Sequence, residues 1–378
     1  MKNIHITNIG GQALPVLQGI AEFHCDTVLL LHSAESQVIA EKIKSIVDGD
    51  VQLCFVPNPN DYFALLAFCE NLVLGYPGSK FFVNISSGTK IMSLALFAFF
   101  KDHHPDNRIF HIDQNGIVHF LEQDHSQPLQ NLLPIRSFID YSGQKIKSMT
   151  KYEEIDPELF ICKNFAKNLY QSSYSEYRNF CQLYAEYNSQ YNDDESFELT
   201  NNHSGSSVTW SKEGNELVFS LYRKFKTETE EHCFIGKDCI GIALEAKWFE
   251  LEVAEMLSNW ERTKELVWSL VVPYQDGQAK NEIDVVINTG NKLLFVECKT
   301  QIYDIKDIDK FRNVTKNYGG LGAKSILITY SKPPARFFER CKDNNILLFY
   351  FSENYKIVHS VKDLFQVLNN EMLKTNTF

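Results

Sequence analysis

The residue types best suited to chemistry lie close together in one stretch, Asn281 to Thr300, which reads NEIDVVINTGNKLLFVECKT. Two β-rich runs flank Gly290-Asn291, a dipeptide suited to a two-residue hairpin turn. With that tip, Thr289 pairs with Lys292, and counting outward sets Asp284 opposite Glu297. Opposed residues share a face with Cβ atoms about 4.5–5.5 Å apart. Strand alternation adds Lys299 to that face and turns Val296 and Cys298 to the other. Facing carboxylates repel, which favours protonation or a bound cation. Hard divalent ions such as Mg²⁺ or Mn²⁺ take oxygen ligands and keep waters for a substrate phosphate. Such an ion would activate water and stabilise charge on a phosphodiester, while Lys299 orients the nucleophile or neutralises developing charge. The plainer alternative is a solvent-facing edge on which Glu297 and Lys299 form a surface pair. The apolar flanks Ile283, Val285, Leu294, Phe295 and Val296 favour a covered hairpin, where unpaired charge is costly.

Upstream, Leu244 to Trp260 reads as a helix whose core stripe is Phe249, Val253, Met256 and Trp260. Glu250 sits at the edge of that stripe, where its carboxylate would reach a neighbouring metal directly or through water. A second constellation lies near the start of the chain. Ser86, Ser87, Gly88 and Thr89 stand between a strand and a helix beginning near Lys90. Free backbone N–H groups and the helix dipole there face an incoming anion, and Lys90 adds charge. The order Gly-Thr-Lys without an upstream Gly is not a P-loop. A plain Ser/Thr N-cap is the simpler reading of the loop alone. Two further strand ends line the same crevice: Asn8 to Gln12 (NIGGQ, with Gly10 and Gly11), and His32-Ser33.

The elements that would hold these residues alternate in type. Strands are expected at Asn3–Thr7, Thr27–His32, Val51–Val56, Lys80–Val83 and Arg108–Gln114, with helices at Leu14–Phe23, Glu35–Ile46, Asp61–Leu74 and Thr89–Phe100. This alternation implies an α/β fold with a mostly parallel sheet, whose ligands sit beyond the carboxyl ends of its strands. From about residue 126 the rhythm changes. Residues 153–235 are rich in Tyr, Asn, Ser and charge, with helical patches at Pro157–Leu169 and Tyr174–Tyr187 and an exposed loop over Asn188–Ser206. Beyond Phe234 the order is the Glu250 helix, a strand (Glu265–Val272), the hairpin, a helix (Ile305–Tyr318), a strand (Ser325–Tyr330), a helix (Pro334–Asp343) and a strand (Ile346–Tyr350).

Bulk properties narrow the setting. A length of 378 residues suggests two or three domains, and 44% apolar with 13% aromatic residues suffices to fill their cores. The nine cysteines show no CxxC pair, which argues against a zinc ribbon or disulfide framework and suits a reducing cytosol. Leu94–Phe100 is the longest apolar run and far too short for a bilayer, and no signal peptide is evident, so a cytoplasmic protein without membrane partners is expected. A formal charge of -11 weighs against coating nucleic acid by bulk electrostatics, but not against gripping a phosphodiester through metal ions. The local basic stretches, Arg223, Lys224 and Lys226, and Lys306, Lys310, Arg312 and Lys316, read as solvated faces.

Asp284, a gap of twelve residues, then Glu297-Cys298-Lys299, behind a helix bearing Glu250, resembles the PD-(D/E)xK restriction-endonuclease-like family, with Ile283 in place of its leading Pro. The loop Asn84–Met92 (NISSGTKIM) is similar to the ligand loop of CARF domains, the Rossmann-like sensors associated with CRISPR. With Lys247–Glu250 (KWFE), the whole resembles the CARF–nuclease effectors of type III CRISPR systems. That resemblance implies a Rossmann-like sensor at 1–140 and a restriction-endonuclease-like domain at 236–378, while the helical patches between them read as a mainly helical connector at 141–235. It implies a homodimer that binds a cyclic oligoadenylate, most often the tetra-adenylate, and then cleaves DNA, RNA or both with metal at Asp284, Glu297 and Glu250. Ligand contacts would come from Asn8, Gly10, Gly11, Gln12, His32, Ser33, Asn84, Ser86, Ser87, Gly88, Thr89 and Lys90. Three other readings compete. A sensor that regulates transcription without catalysis would need a helix-turn-helix, where the C-terminal third has a carboxylate hairpin. A metal-independent ribonuclease with an Arg-x4–6-His motif finds only Arg223 and His232, with eight residues between them. A dinucleotide enzyme would need a GxGxxG after a strand, and none is present.

Overall fold

The expected alternation is laid out in a computed structural model that describes residues 1–103, 107–191, 195–222, 229–273, 279–290, 292–319 and 323–373. Arg223, Lys224, Lys226 and Asn291 lie outside the described residues. Two compact units are present: Met1–Lys145 with Asn288–Lys292, and Ile146–Ile287 with Leu293–Phe378.

In the first unit the order is β1 (Asn3–Asn8), α1 (Leu14–Glu22), β2 (Thr27–His32), α2 (Gln37–Ile46), β3 (Asp50–Phe55), α3 (Tyr62–Leu74), β4 (Lys80–Asn84), α4 (Lys90–His103), β5 (Arg108–Ile112), β6 (Ile117–Phe120), β7 (His125–Pro128) and α5 (Ile135–Tyr141). The sheet runs β3-β2-β1-β4-β5-β6-β7. Its first five strands are parallel, and β6 and β7 turn back antiparallel. Covering helices bury both faces, so an interior strand such as β2 (TVLLLH) is buried throughout and reads as an unbroken apolar run. Strand order reverses between β1 and β4, which puts the loops after these strands side by side at a topological switch point.

The second unit runs β8 (Ser148–Lys151), α6 (Pro157–Ser172), α7 (Tyr174–Gln190), β9 (Phe197–Thr200), β10 (Ser207–Ser211), β11 (Glu216–Tyr222), β12 (Thr229–Ile235), α8 (Asp238–Leu244), α9 (Trp248–Ser258), β13 (Glu265–Pro273), β14 (Ala279–Asn288), β15 (Leu293–Lys299), α10 (Lys306–Gly319), β16 (Lys324–Ser331), α11 (Ala335–Asp343), β17 (Leu347–Glu353), β18 (Lys356–Ile357) and α12 (Val361–Leu373). Its main sheet is β18-β17-β16-β15-β14-β13-β8, so the chemistry-bearing hairpin β14–β15 is central rather than an edge. Helix α9 lays Leu251, Val253, Ala254 and Leu257 into the same core as Val285, Ile287, Leu294, Val296 and Cys298. Burying each such side chain contributes about 1.5–3 kcal/mol, which fixes the helix on one face of the hairpin.

Three expectations are corrected. Residues 141–235 are not a mainly helical connector: besides α6 and α7 they hold β8, which pairs with β13, and an antiparallel sheet in the order β12-β11-β10-β9. Alternation in β11 buries Leu217, Phe219 and Leu221, and the surrounding Tyr, Asn and Ser hid this period from a composition-based reading. The expected loop Asn188–Ser206 contains β9. The helix expected from Leu244 to Trp260 is interrupted. Ala246 takes a left-handed φ of 63°, so α8 ends at Leu244 and α9 begins at Trp248. No Gly or Pro announces that break.

Candidate functional site

The hairpin register is set at its tip, where Thr289 N–H donates to Lys292 O at 3.0 Å. Towards the open end of the hairpin, Glu297 and Lys299 lie close enough for their charges to act on Asp284. Asp284 is buried, 6% exposed, and its Oδ2 accepts the Cys298 N–H at 2.7 Å. Burial pushes its carboxyl well above the usual carboxylate range, and the charges of Glu250 and Glu297 push the same way. Glu297 is raised too, first by burial, although Lys299 Nζ sits 2.9 Å from its Oε1. Burial opposes the charge on Lys299, but Glu297 and Asp284 outweigh it and hold the ammonium protonated.

Glu250 enters from the first turn of α9. Burial lifts its carboxyl to about 7 against the pull of Lys247, and its Oε2 is buried with no partner among the described residues. An orphaned buried oxygen of this kind costs free energy until something pairs with it. The other side of α9 is clamped by α6, where Lys163 pairs with Glu252 (2.9 Å) and Glu255, and Lys167 with Glu252 (2.6 Å). The structure therefore brings Glu250, Asp284, Glu297 and Lys299 into one electrostatic cluster, with three carboxylates against one ammonium. Among the described residues, no group of three or more His, Cys, Asp or Glu side chains is close enough to form a ready metal cage.

Sequence reasoning missed four neighbours. Glu282 lies two residues before Asp284 on the same face, and strand alternation alone would have found it. Its Oε1 pairs with Lys247 Nζ at 3.1 Å and accepts the Ser269 hydroxyl at 2.8 Å. Lys247 belongs to the KWFE motif but had been given no role. Asp307, in the first turn of α10, adds its charge to Glu297. Ser269 left no sequence signal, because its position depends on an irregularity in β13.

In the first unit, the loops after β1 and β4 interlock. Gly10 N–H donates to Ser87 Oγ at 3.1 Å, and Ser87 Oγ donates to Gln12 O at 3.0 Å. Gly88 takes φ +78°, and a Cβ there would lie 2.5 Å from Asn8 Cβ; a Cβ on Gly10 would lie 2.6 Å from Gly88 N. Both glycines are needed for this close approach. Thr89 caps α4 through Met92 N–H at 3.1 Å, so the simple N-cap is present, and Lys90 is exposed. Gly11 is exposed, and a Cβ on it would meet nothing. Asn84 is buried and Ser86 half-buried, and both are engaged in hydrogen bonds within the loop and its neighbours. Asn84 Nδ2 donates to Pro15 O, Ser86 Oγ donates to Asn84 Oδ1, and Ile112 N–H donates to Ser86 Oγ. They brace the loop, because a buried amide must satisfy itself. His32 and Ser33 are also engaged locally, His32 Nδ1 lying 3.1 Å from Ser33 O and Ser33 Oγ donating to Glu35 at 2.6 Å. Asn8 Oδ1 is buried without a partner among the described residues. Among the described residues, no helix is long and apolar enough to cross a membrane.

Residues 4–141 match the family model of the Card1 CARF domain, and residues 242–368 match that of the Card1-like endonuclease domain. Among solved structures the chain is similar to protein VC1899 from Vibrio cholerae, with TM-score 0.70, 16% identity and 97% of each chain covered. It is also similar to Can2 from Sulfobacillus thermosulfidooxidans, solved in complex with cyclic tetra-adenylate, with TM-score 0.62, 18% identity, and 98% of this chain and 100% of that one covered. At such identities the likeness to solved structures shows the fold alone. No curated protein matches the chain.

Proposed function

Since this chain joins a CARF domain to a Card1-like endonuclease domain, we propose that it is a divalent-metal-dependent nuclease switched on by a cyclic oligoadenylate in a type III CRISPR response. The observation that carries the chemical half is the cluster of Glu250, Asp284, Glu297 and Lys299, whose carboxyls are all raised by burial, with neighbouring carboxylates adding to the shift. A hard divalent cation fits this set: the donors are carboxylate oxygens, and the orphaned Glu250 Oε2 calls for a partner. Asp284, Glu297 and Glu250 would hold it. When bound, the cation would supply Lewis-acid stabilisation of a phosphodiester and a more acidic water. Lys299 stays protonated beside Glu297 and offers positive charge where negative charge develops on the phosphate. The Cys298 N–H fixes Asp284, so that carboxylate needs no reorganisation as the reaction proceeds.

For the sensor half, the reading is a two-fold dimer in which the Gly10–Gln12 and Ser87–Lys90 loops of both protomers face one ring-shaped ligand. A two-fold interface presents the same patch twice, which suits a symmetric ring of phosphates. Can2, of the same fold, is solved with cyclic tetra-adenylate, which supports that ring size. The ligand activates only by binding the active state more tightly, and a tenfold shift needs roughly 1.4 kcal/mol of differential affinity. The test is the cleavage rate of labelled single- and double-stranded DNA and RNA against cyclic tetra- and hexa-adenylate concentration, with Mg²⁺, Mn²⁺ or EDTA. Ligand-dependent cleavage abolished by EDTA is expected. Cleavage indifferent to EDTA sinks the metal assignment, and a rate indifferent to every ring sinks the sensor assignment.

A further inference from the structure

Building on the nuclease reading, we propose that Lys247 is a substrate-binding residue that exchanges Glu282 for a phosphate of the nucleic acid beside the cleaved bond. The carboxylate cluster repels a polyanion, and Lys299 is already committed to Glu297 at 2.9 Å. Lys247 is the other cation whose charge acts on Glu250. Its side chain is 30% exposed and pairs with a Glu282 side chain that is 39% exposed, at 3.1 Å. A partly exposed pair of this kind is weakly held, so a phosphate can replace the carboxylate.

The backbone around the pair is built to hold it. Ala246 and Ser269 are non-glycine residues with left-handed φ values of 63° and 52°. Ala246 interrupts the helix immediately before Lys247, and Ser269 lies where the β13–β8 register shifts, with its hydroxyl donating to Glu282. Each such conformation is strained and persists where surrounding structure imposes it, often at functional sites. Bulges next to active sites commonly re-aim a side chain. Here two strained residues serve the two partners of one ion pair. Lys247 therefore binds substrate, while Glu282 and, through it, Ser269 position it.

The experiment measures KM, kcat and oligonucleotide affinity across a salt series for the full chain with activator and Mn²⁺, comparing wild type with Lys247→Met, Lys247→Arg and Glu282→Gln. Lys247→Met is expected to raise KM about tenfold with kcat within about twofold, and to lower the log–log salt slope by about 0.7–0.9, the share of one phosphate contact. Lys247→Arg is expected to restore most of the affinity, and Glu282→Gln to tighten binding by releasing the lysine. Wild-type KM and slope in Lys247→Met, or equal losses of affinity in Lys247→Met and Glu282→Gln, would overturn the proposal and make the pair a structural brace. A wild type that binds oligonucleotide through Lys247 but never cleaves would remove the nuclease reading alone. One that neither binds nor cleaves removes both.

Discussion

At the β14–β15 hairpin, the buried Asp284 feels the charge of Glu297 and of Glu250 from α9, and Glu250 carries a buried oxygen with no partner among the described residues. In the loops after β1 and β4, by contrast, the hydroxyls and amides of Ser86, Ser87, Thr89 and Asn84 bond to neighbouring backbone and to each other. The hairpin holds unfavourable electrostatics that a cation and a phosphodiester would relieve. The crevice is a pre-formed polar surface whose shape depends on two glycines in close approach. One region is poised for chemistry and the other for fit, so they should respond to different perturbations.

The largest expected effect tests the first half of that contrast. Asp284→Ala or Glu297→Ala should cut cleavage by at least about 10²-fold, the scale of losing one electrostatic stabiliser, without unfolding the protein. Removing like-charge repulsion should leave the melting temperature unchanged or slightly raised. A variant that melts well below wild type would mean the carboxylates stabilise the fold instead. Next, Lys299→Ala should lower the single-turnover rate by about 10–100-fold while sparing substrate affinity, with Glu250→Ala acting likewise but more mildly. Lost affinity with a full single-turnover rate would reverse the role assigned to either residue.

A smaller effect is expected at the crevice. Gly88→Ala should move the activator midpoint by about tenfold or more, because the left-handed φ and the 2.5 Å approach to Asn8 Cβ both oppose a side chain. Saturating ligand should recover much of the rate, and Lys90→Ala should show a weaker version of the same shift. A lowered rate at saturating ligand would erase the distinction between the regions. The smallest effect is a dependence of stability on pH. Burial raises the Glu250 carboxyl from 4.5 to about 7, so across that window the native state holds a proton that the unfolded chain has released. Stability of the metal-free protein should therefore fall as pH rises from about 4.5 to about 7. Glu250→Gln should flatten that part of the curve, and added Mg²⁺ should raise the melting temperature by a few degrees more at pH 8 than at pH 5. Equal metal effects at both pH values would detach the cation from these carboxylates.

Local patterning made much of this legible. A tip at Gly290-Asn291 implies that Thr289 pairs with Lys292, and that bond is present. Strand β2 has the bounds its apolar run suggested, Thr27–His32. Asn84 and Ser86 were less legible, since a polar residue after a strand looks the same whether it faces a ligand or braces its own loop. Which of the two holds depends on Pro15 and Ile112, contributed by elements distant in sequence.

The sequence by itself determined the hairpin and the parallel sheet, because each follows from spacing along a few neighbouring residues. Only the tertiary structure decided that Ala246 breaks the helix, that Ser269 turns toward Glu282, and that Lys247 reaches the same carboxylate. Those outcomes rest on packing between α8, α9, β13 and β14. A left-handed backbone at Ala or Ser costs more than the local sequence favours, and the surrounding fold is what holds it there.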